Sequence, residues 1–471
     1  MIGKTQPVSA YNWRMRRNKP ALLLFVMLLL IACTPGQQNE QVTVISHPDG
    51  PLYAGDQISF EVLEPAEKGD EPGSVEVSFN DQPLGSAGFA PYGLGLRNQA
   101  TLWWIWDTRN LGPGRYTLTF TRRPENETWE KTFTLHPANQ VPAPEPGAHW
   151  VSTTSNCCTL YYITGTAAER DIATLTQEAD RQSADVSAQL GSSLEKRIDI
   201  VIMSRVVGHG GYTWNGIYTS YLEDNYVGND MSVLFHHEFV HYYDQAMGGN
   251  YLPAILQEGL AVYLTGGHFK PELLGPRAAG LLQLGRYLPL STISDDFYKQ
   301  QHDISYLEAG ALVEYLVETY GWGAYNEFYR SIPAPENTTV SAVLGSALQD
   351  SFGISLGDLE TGYRAFLQSQ PVSEEVVTDL QLTISFFDSI RRYQLAFDPS
   401  AYFLTAWLPD ASTMRERGIV ADLLRHPNGW KNRLFESLLI RSQKELFKGD
   451  YQGAAESLRW TEWILNIVSP R

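Results

Sequence analysis

The segment His237-Glu238-Phe239-Val240-His241, followed by Glu258 in Gln257-Glu258-Gly259-Leu260-Ala261, restricts the fold of this chain more than any other part of it. Two histidines four apart project from one face of a helix, so both imidazoles can reach a single metal ion. The glutamate between them then aims at a water on that ion. Such a pentapeptide occurs by chance in roughly one chain in a hundred of this length, so its surroundings must carry the assignment. Asp230 is a suitable N-cap and Gly248-Gly249 a suitable stop, which predicts one helix between them. Pro253 suits the first turn of a second helix that ends near Gly266-Gly267. A tight hairpin of the two helices returns Glu258 as a third ligand beside His237 and His241. Two imidazoles and one carboxylate leave an open position on a tetrahedral Zn2+ for water. Glu238 is then placed to accept the proton of that water as it attacks a polarised carbonyl.

These segments, with the downstream run Tyr306-Leu307-Glu308-Ala309-Gly310-Ala311-Leu312-Val313-Glu314-Tyr315-Leu316, resemble gluzincin metallopeptidases of the peptidase-MA-like superfamily over about residues 150–368. The resemblance implies zinc ligands at His237, His241 and Glu258, with Glu238 as general base and later proton donor. It also implies that Tyr306 hydrogen-bonds the tetrahedral intermediate. One position departs from the family. Many gluzincins carry an acidic residue four positions after the glutamate ligand, where it orients a histidine, and here that residue is Val262. Asp244 is the alternative orienter, against a reading as a solvated helix residue. The exopeptidase signature Gly-Ala-Met-Glu-Asn is absent, so aminopeptidase activity does not follow.

Other histidines and tyrosines read more plainly. His236 points about 100° away from His237 and is expected to be packed or at the surface. His209, in Val207-Gly208-His209-Gly210-Gly211, fits a plain turn, with a place at the cleft border as the alternative. Tyr212, Tyr218, Tyr221 and Tyr226 fit simple packing or the lining of a cleft whose strand edge pairs with an extended peptide. His268, His302 and His426 have no ligand spacing and receive no role.

The N-terminus carries Arg14, Arg16, Arg17 and Lys19, an apolar run from Ala21 to Ala32, then Cys33. That order is expected of a signal peptide over residues 1–32, an uncleaved anchor being the alternative. Leu30-Ile31-Ala32-Cys33 resembles a bacterial lipobox, which implies lipidation of Cys33 and attachment to an extracytoplasmic membrane surface. Removing residues 1–32 takes away five of the 35 cations and none of the 53 acids, which leaves about −23 from a formal −18. Such a balance excludes general nucleic-acid binding, which needs clustered Lys and Arg. Cys157 and Cys158 are adjacent, so they form no disulfide framework and are expected as a buried or vicinally oxidised pair.

The expected fold class is α+β, a zincin-like catalytic domain preceded by an all-β sandwich and followed by a helical C-terminal region. After a tether at 33–40, short alternating runs across 41–137 predict six or seven strands, similar to the immunoglobulin-like modules of bacterial surface proteins. A Pro-rich linker at 138–148 leads to a metallopeptidase domain at 149–370 and a helical region at 371–471. In that region Leu446 to Ala455 resembles the turn of a tetratricopeptide helix pair. The functional expectation is a membrane-anchored zinc peptidase acting on a peptide or protein. The alternatives are a binding or scaffold lipoprotein that keeps the fold, and a zinc hydrolase of a non-peptide amide or ester.

Overall fold

The structure, a computed structural model, describes residues 42–63, 73–92, 97–193, 196–228, 230–403 and 411–469. The expected signal segment, Cys33 and the tether lie outside the described residues.

Among the described residues nine strands come first: β1 Thr43–His47, β2 Leu52–Tyr53, β3 Gln57–Leu63, β4 Ser74–Phe79, β5 Gln82–Gly88, β6 Ala90–Tyr92, β7 Arg97–Asp107, β8 Gly114–Arg123 and β9 Glu127–His136. They form a sheet of order β1-β3-β7-β6 and another of order β2-β9-β8-β4-β5. Alternation puts Phe60, Val62, Leu102 and Trp106 of the first sheet against Val77, Phe120, Phe133 and Leu135 of the second, in one apolar core. A tight turn joins β4 to β5. Asn80 and Asp81 alone make it, with φ of 50° and 60°, and Gln82-Pro83 already belong to β5. β5 is an edge strand, where the missing N–H of Pro83 does little harm to the ladder.

A second α/β unit follows, with β10 Trp150–Thr154, β11 Cys158–Ile163, α1 Ala167–Leu190, β12 Ile198–Met203, β13 Gly211–Thr213 and β14 Ile217–Ser220. The sheet order is β10-β11-β12-β14-β13, so β13 is an edge strand, antiparallel to β14. Cys157 and Cys158 form a vicinal disulfide at the start of β11. Helices then stack on this sheet: α2 Met231–Met247, α3 Ala254–Thr265, α4 Leu274–Gln283, α5 Leu290–Asp296, α6 His302–Tyr320, α7 Trp322–Ser331, α8 Val340–Phe352 and α9 Leu356–Ser369. Phe235, Phe239 and Val240 of α2 join Leu256 and Leu260 of α3 and Leu312 and Val313 of α6 in one core with β11, β12 and α1.

The chain ends in α10 Glu374–Phe397, α11 Pro399–Phe403, α12 Ala411–Glu416, α13 Ala421–Leu424, α14 Trp430–Phe447 and α15 Tyr451–Val468. Gly449, at φ 72°, turns α14 into α15. This region packs on the preceding unit. Phe386, Phe387 and Tyr393 of α10 share a core with Val206, Tyr226 and Phe269, while Met414 and Leu423 pack on Val201, Met203 and Tyr218.

Candidate metal centre

α2 starts where its cap predicts, with Asp230 Oδ1 accepting from the Ser232 backbone N–H at 2.8 Å. Its apolar side chains face the core, and the remaining face carries His237 and His241 toward α3. α3 is held against α6 by two glycines. A Cβ on Gly259 would lie 2.6 Å from the Ala309 carbonyl oxygen, and one on Gly310 would lie 2.4 Å from Val262 Cγ1. That close approach places Glu258 opposite the two imidazoles. It also explains Val262: the side chain at this position is fully buried against α6, where a carboxylate would be desolvated.

The three side chains converge on one point. His237 Nε2 and His241 Nε2 are 3.0 Å apart, and Glu258 Oε2 lies 3.2 Å from the first and 3.0 Å from the second. A tetrahedral ion with bonds of about 2.0–2.1 Å needs its donors roughly 3.3 Å apart, so the residues fit zinc closely. Two imidazole lone pairs turned toward one carboxylate repel unless a cation sits among them. A proton can take that place: burial lowers the His241 pKa, but the Glu258 carboxylate outweighs it and lifts it to about 9. Among the described residues these three are the one group of His, Cys, Asp or Glu arranged to hold an ion.

Glu238 is buried beside the cluster, and the Thr213 hydroxyl of β13 donates to its Oε2 at 2.8 Å. Burial raises its pKa, although His237, His241 and the Thr213 bond pull the other way. The other carboxylate oxygen lies 3.1 Å from where a Cβ on Gly211 would be, so the edge strand passes directly over Glu238.

The remaining expectations divide. Asp244 neither orients a histidine nor is solvated: it is buried, accepts from Tyr329 Oη at 2.7 Å and pairs with Arg330 Nη2 at 2.6 Å. The Nδ1 atoms of His237 and His241 have no partner among the described residues. Tyr306 does line the cavity, its ring stacked on His268 at 4.1 Å and 6.1 Å from that of His237. Burial, then the nearby Glu258 charge, holds its hydroxyl well above the usual phenol range. His236 is packed as expected, against Gln182 and Gln189 of α1. Tyr212 lines the cavity and stacks on Tyr218 at 4.6 Å, whereas Tyr221 bonds Asp171 and Tyr226 is buried beside Asp398.

Several cavity residues carry no signal in the sequence. Tyr298 donates to Glu258 Oε1 at 2.7 Å, directly behind the ligand oxygen. His209 alone of these has a cleft-border place as its alternative reading, and it takes that place, its ring stacked on His302 at 3.8 Å. His268 bridges this pair to the metal centre, 4.8 Å from His302 and 5.2 Å from His237. Burial keeps all three neutral, with His209 lowered to about 4. They come from three separate segments and lack any mutual spacing. Arg391 of α10 and Tyr402 of α11 complete a cavity of about 480 Å³.

No protein-family profile matches this chain, and no curated protein does. Among solved structures it is similar to the crystal structure of an aminopeptidase N family protein from Idiomarina loihiensis. That similarity has 11% identity over 69% of this chain and 70% of that one, with a TM-score of 0.28. A likeness at this level carries no argument, so the functional reading rests on the site itself.

Proposed function

We propose that this chain is a zinc-dependent metallopeptidase. The observation that carries the reading is the convergence of His237 Nε2, His241 Nε2 and Glu258 Oε2 beside a buried, hydrogen-bonded Glu238. A zinc ion held by those three residues would supply a Lewis acid for a substrate carbonyl and an acidified water. Glu238 takes a proton from the attacking water and passes it to the leaving amine, a role its raised affinity for protons suits. Thr213 keeps one carboxylate oxygen of Glu238 in place during that exchange. The Tyr306 hydroxyl serves as donor to the oxyanion that forms on the substrate. An extended substrate lies along the edge strand β13, whose residues 211–213 border Glu238.

The sandwich, the Pro-rich linker and the C-terminal helices act in this reading as spacing or recognition modules. The basic-then-apolar segment ending at Cys33 supports a lipid anchor that holds the enzyme on an extracytoplasmic membrane face. The test uses the full chain purified in detergent, with Glu238→Gln and Cys33→Ser beside it. We expect about one zinc per chain in wild type and Glu238→Gln, with cleavage of a mixed peptide library slowed roughly a hundredfold or more in the variant. Cys33→Ser should leave the membrane fraction. Zinc-loaded wild type that cleaves no peptide would sink the peptidase reading, and an unchanged membrane fraction would sink the anchor.

A further inference from the structure

The charge along the cavity is uneven. Glu238 and Glu258 lie at the metal centre, and the one Lys or Arg among the described lining residues is Arg391, at the end formed by α10 and α11. Three buried guanidiniums of this acidic chain hold a carboxylate, Arg205 with Asp398, Arg277 with Asp379 and Arg425 with Asp56, and the half-buried Arg330 holds Asp244. Arg391 has no such partner among the described residues. Its guanidinium rests on the ring of Tyr402, 5.1 Å from the centroid, which leaves the donor edge for something else. A half-buried, permanently charged fork that opens on a cavity matches a carboxylate, which it can bind through two parallel hydrogen bonds.

The position of Arg391 says which part of a substrate it meets. Gln394, three residues further along α10, donates to the Gly208 carbonyl at 2.8 Å, and the Gly208 N–H donates to the Ala401 carbonyl at 2.7 Å. Those bonds fix α10 and α11 beside the N-terminal end of β13, next to His209. The exposed Trp214 marks the opposite end. A peptide added antiparallel to β13, the commoner pairing, runs with its C-terminal side toward His209 and Arg391. The neutral imidazoles of His209 and His302 adjoin this end without adding a competing charge.

We propose that Arg391, seated on Tyr402, is a specificity residue that binds a substrate carboxylate on the C-terminal side of the bond cleaved. The proposal rests on the peptidase reading. Two sources offer that carboxylate, the free C-terminus of a short peptide and an Asp or Glu side chain. The test takes one neutral peptide in three forms: free acid, C-terminal amide, and amide with Glu in place of Gln at successive positions. For zinc-loaded full-length wild type, kcat/KM should favour a carboxylate form over the neutral amide by roughly tenfold to a hundredfold, mostly through KM. The favoured form identifies the source. In Arg391→Gln the ratio should fall to about one, while Arg391→Lys, which keeps the charge, should retain part of it. Equal thermal unfolding midpoints show that these variants fold.

Binding of the same peptides, fluorescently labelled, to zinc-loaded Glu238→Gln gives the same ratio without turnover. Carboxylate-selective binding with no hydrolysis by wild type would remove the peptidase and keep the Arg391 site. Hydrolysis that treats acid and amide alike, or selectivity that survives Arg391→Gln, would overturn the Arg391 proposal alone.

Discussion

Glu258 divides its two oxygens between two tasks: Oε2 faces the histidines and Oε1 accepts from Tyr298. The second bond fixes the carboxylate plane, so its loss should be felt in metal binding before chemistry. Tyr298→Phe should weaken zinc binding by roughly ten- to a hundredfold in competition with a chelator. Tyr306→Phe should keep the metal and lower turnover by roughly ten- to a thousandfold. Zinc affinity unchanged in the first variant would show that the Tyr298 bond orients nothing, and unchanged turnover in the second would remove Tyr306 from the site. Of these two tyrosines only Tyr306 was legible in the sequence, through its place in a motif. Tyr298 sits in a one-turn 3-10 helix, Phe297–Lys299, at a separation from Glu258 that no helix or strand repeat fixes.

Between elements, the decisive contact is α3 against α6. The Gly259 and Gly310 positions admit no Cβ without displacing the backbone or Val262, and the close fit aligns Glu258 with His237 and His241. Gly259→Ala should therefore destabilise the folded chain by about 1–3 kcal/mol, measured by urea unfolding of the metal-free protein. It should also lower zinc affinity, since moving α3 outward carries Glu258 with it. Full stability and affinity would show that the helices yield without cost. α2 and α3 were legible because their signals are local: Asp230 and Pro253 at the starts, Gly248 and Gly266 after the ends. β5, β6 and β10 were not, because short or edge strands carry weak alternation and little apolar content.

Across the molecule, the tail ties the sandwich to the α/β unit that carries the candidate metal centre. Arg425 pairs with Asp56 of the sandwich at 2.7 Å and Glu145 of the linker at 2.5 Å. Asp422 accepts from Trp104 Nε1 of β7 at 2.8 Å. Burial raises Asp422 to about 6, although the Trp104 bond and the His47 and Arg205 charges lower it. A carboxyl whose pKa is higher folded than unfolded gives stability that is complete below the unfolded value near 4. That stability is lost as pH rises through about 6. Asp422→Asn keeps an acceptor for Trp104 and carries no charge. It should match wild type near pH 4 and exceed it by up to about 3 kcal/mol at pH 8. A difference that does not change with pH would exclude Asp422 as the titrating group.

The sequence by itself determined the α+β class, the caps of α2 and α3, and the shared face of His237 and His241, because helical periodicity acts within a few residues, while Glu258 was legible from its motif and is aligned by the fit of α3 against α6. Only the tertiary structure decided what surrounds that cluster. His209, His268, His302, Tyr298 and Arg391 come from segments up to 182 positions apart along the chain. No local rule relates these segments, and packing of α10 onto the Gly208 loop brings Arg391 to the cavity.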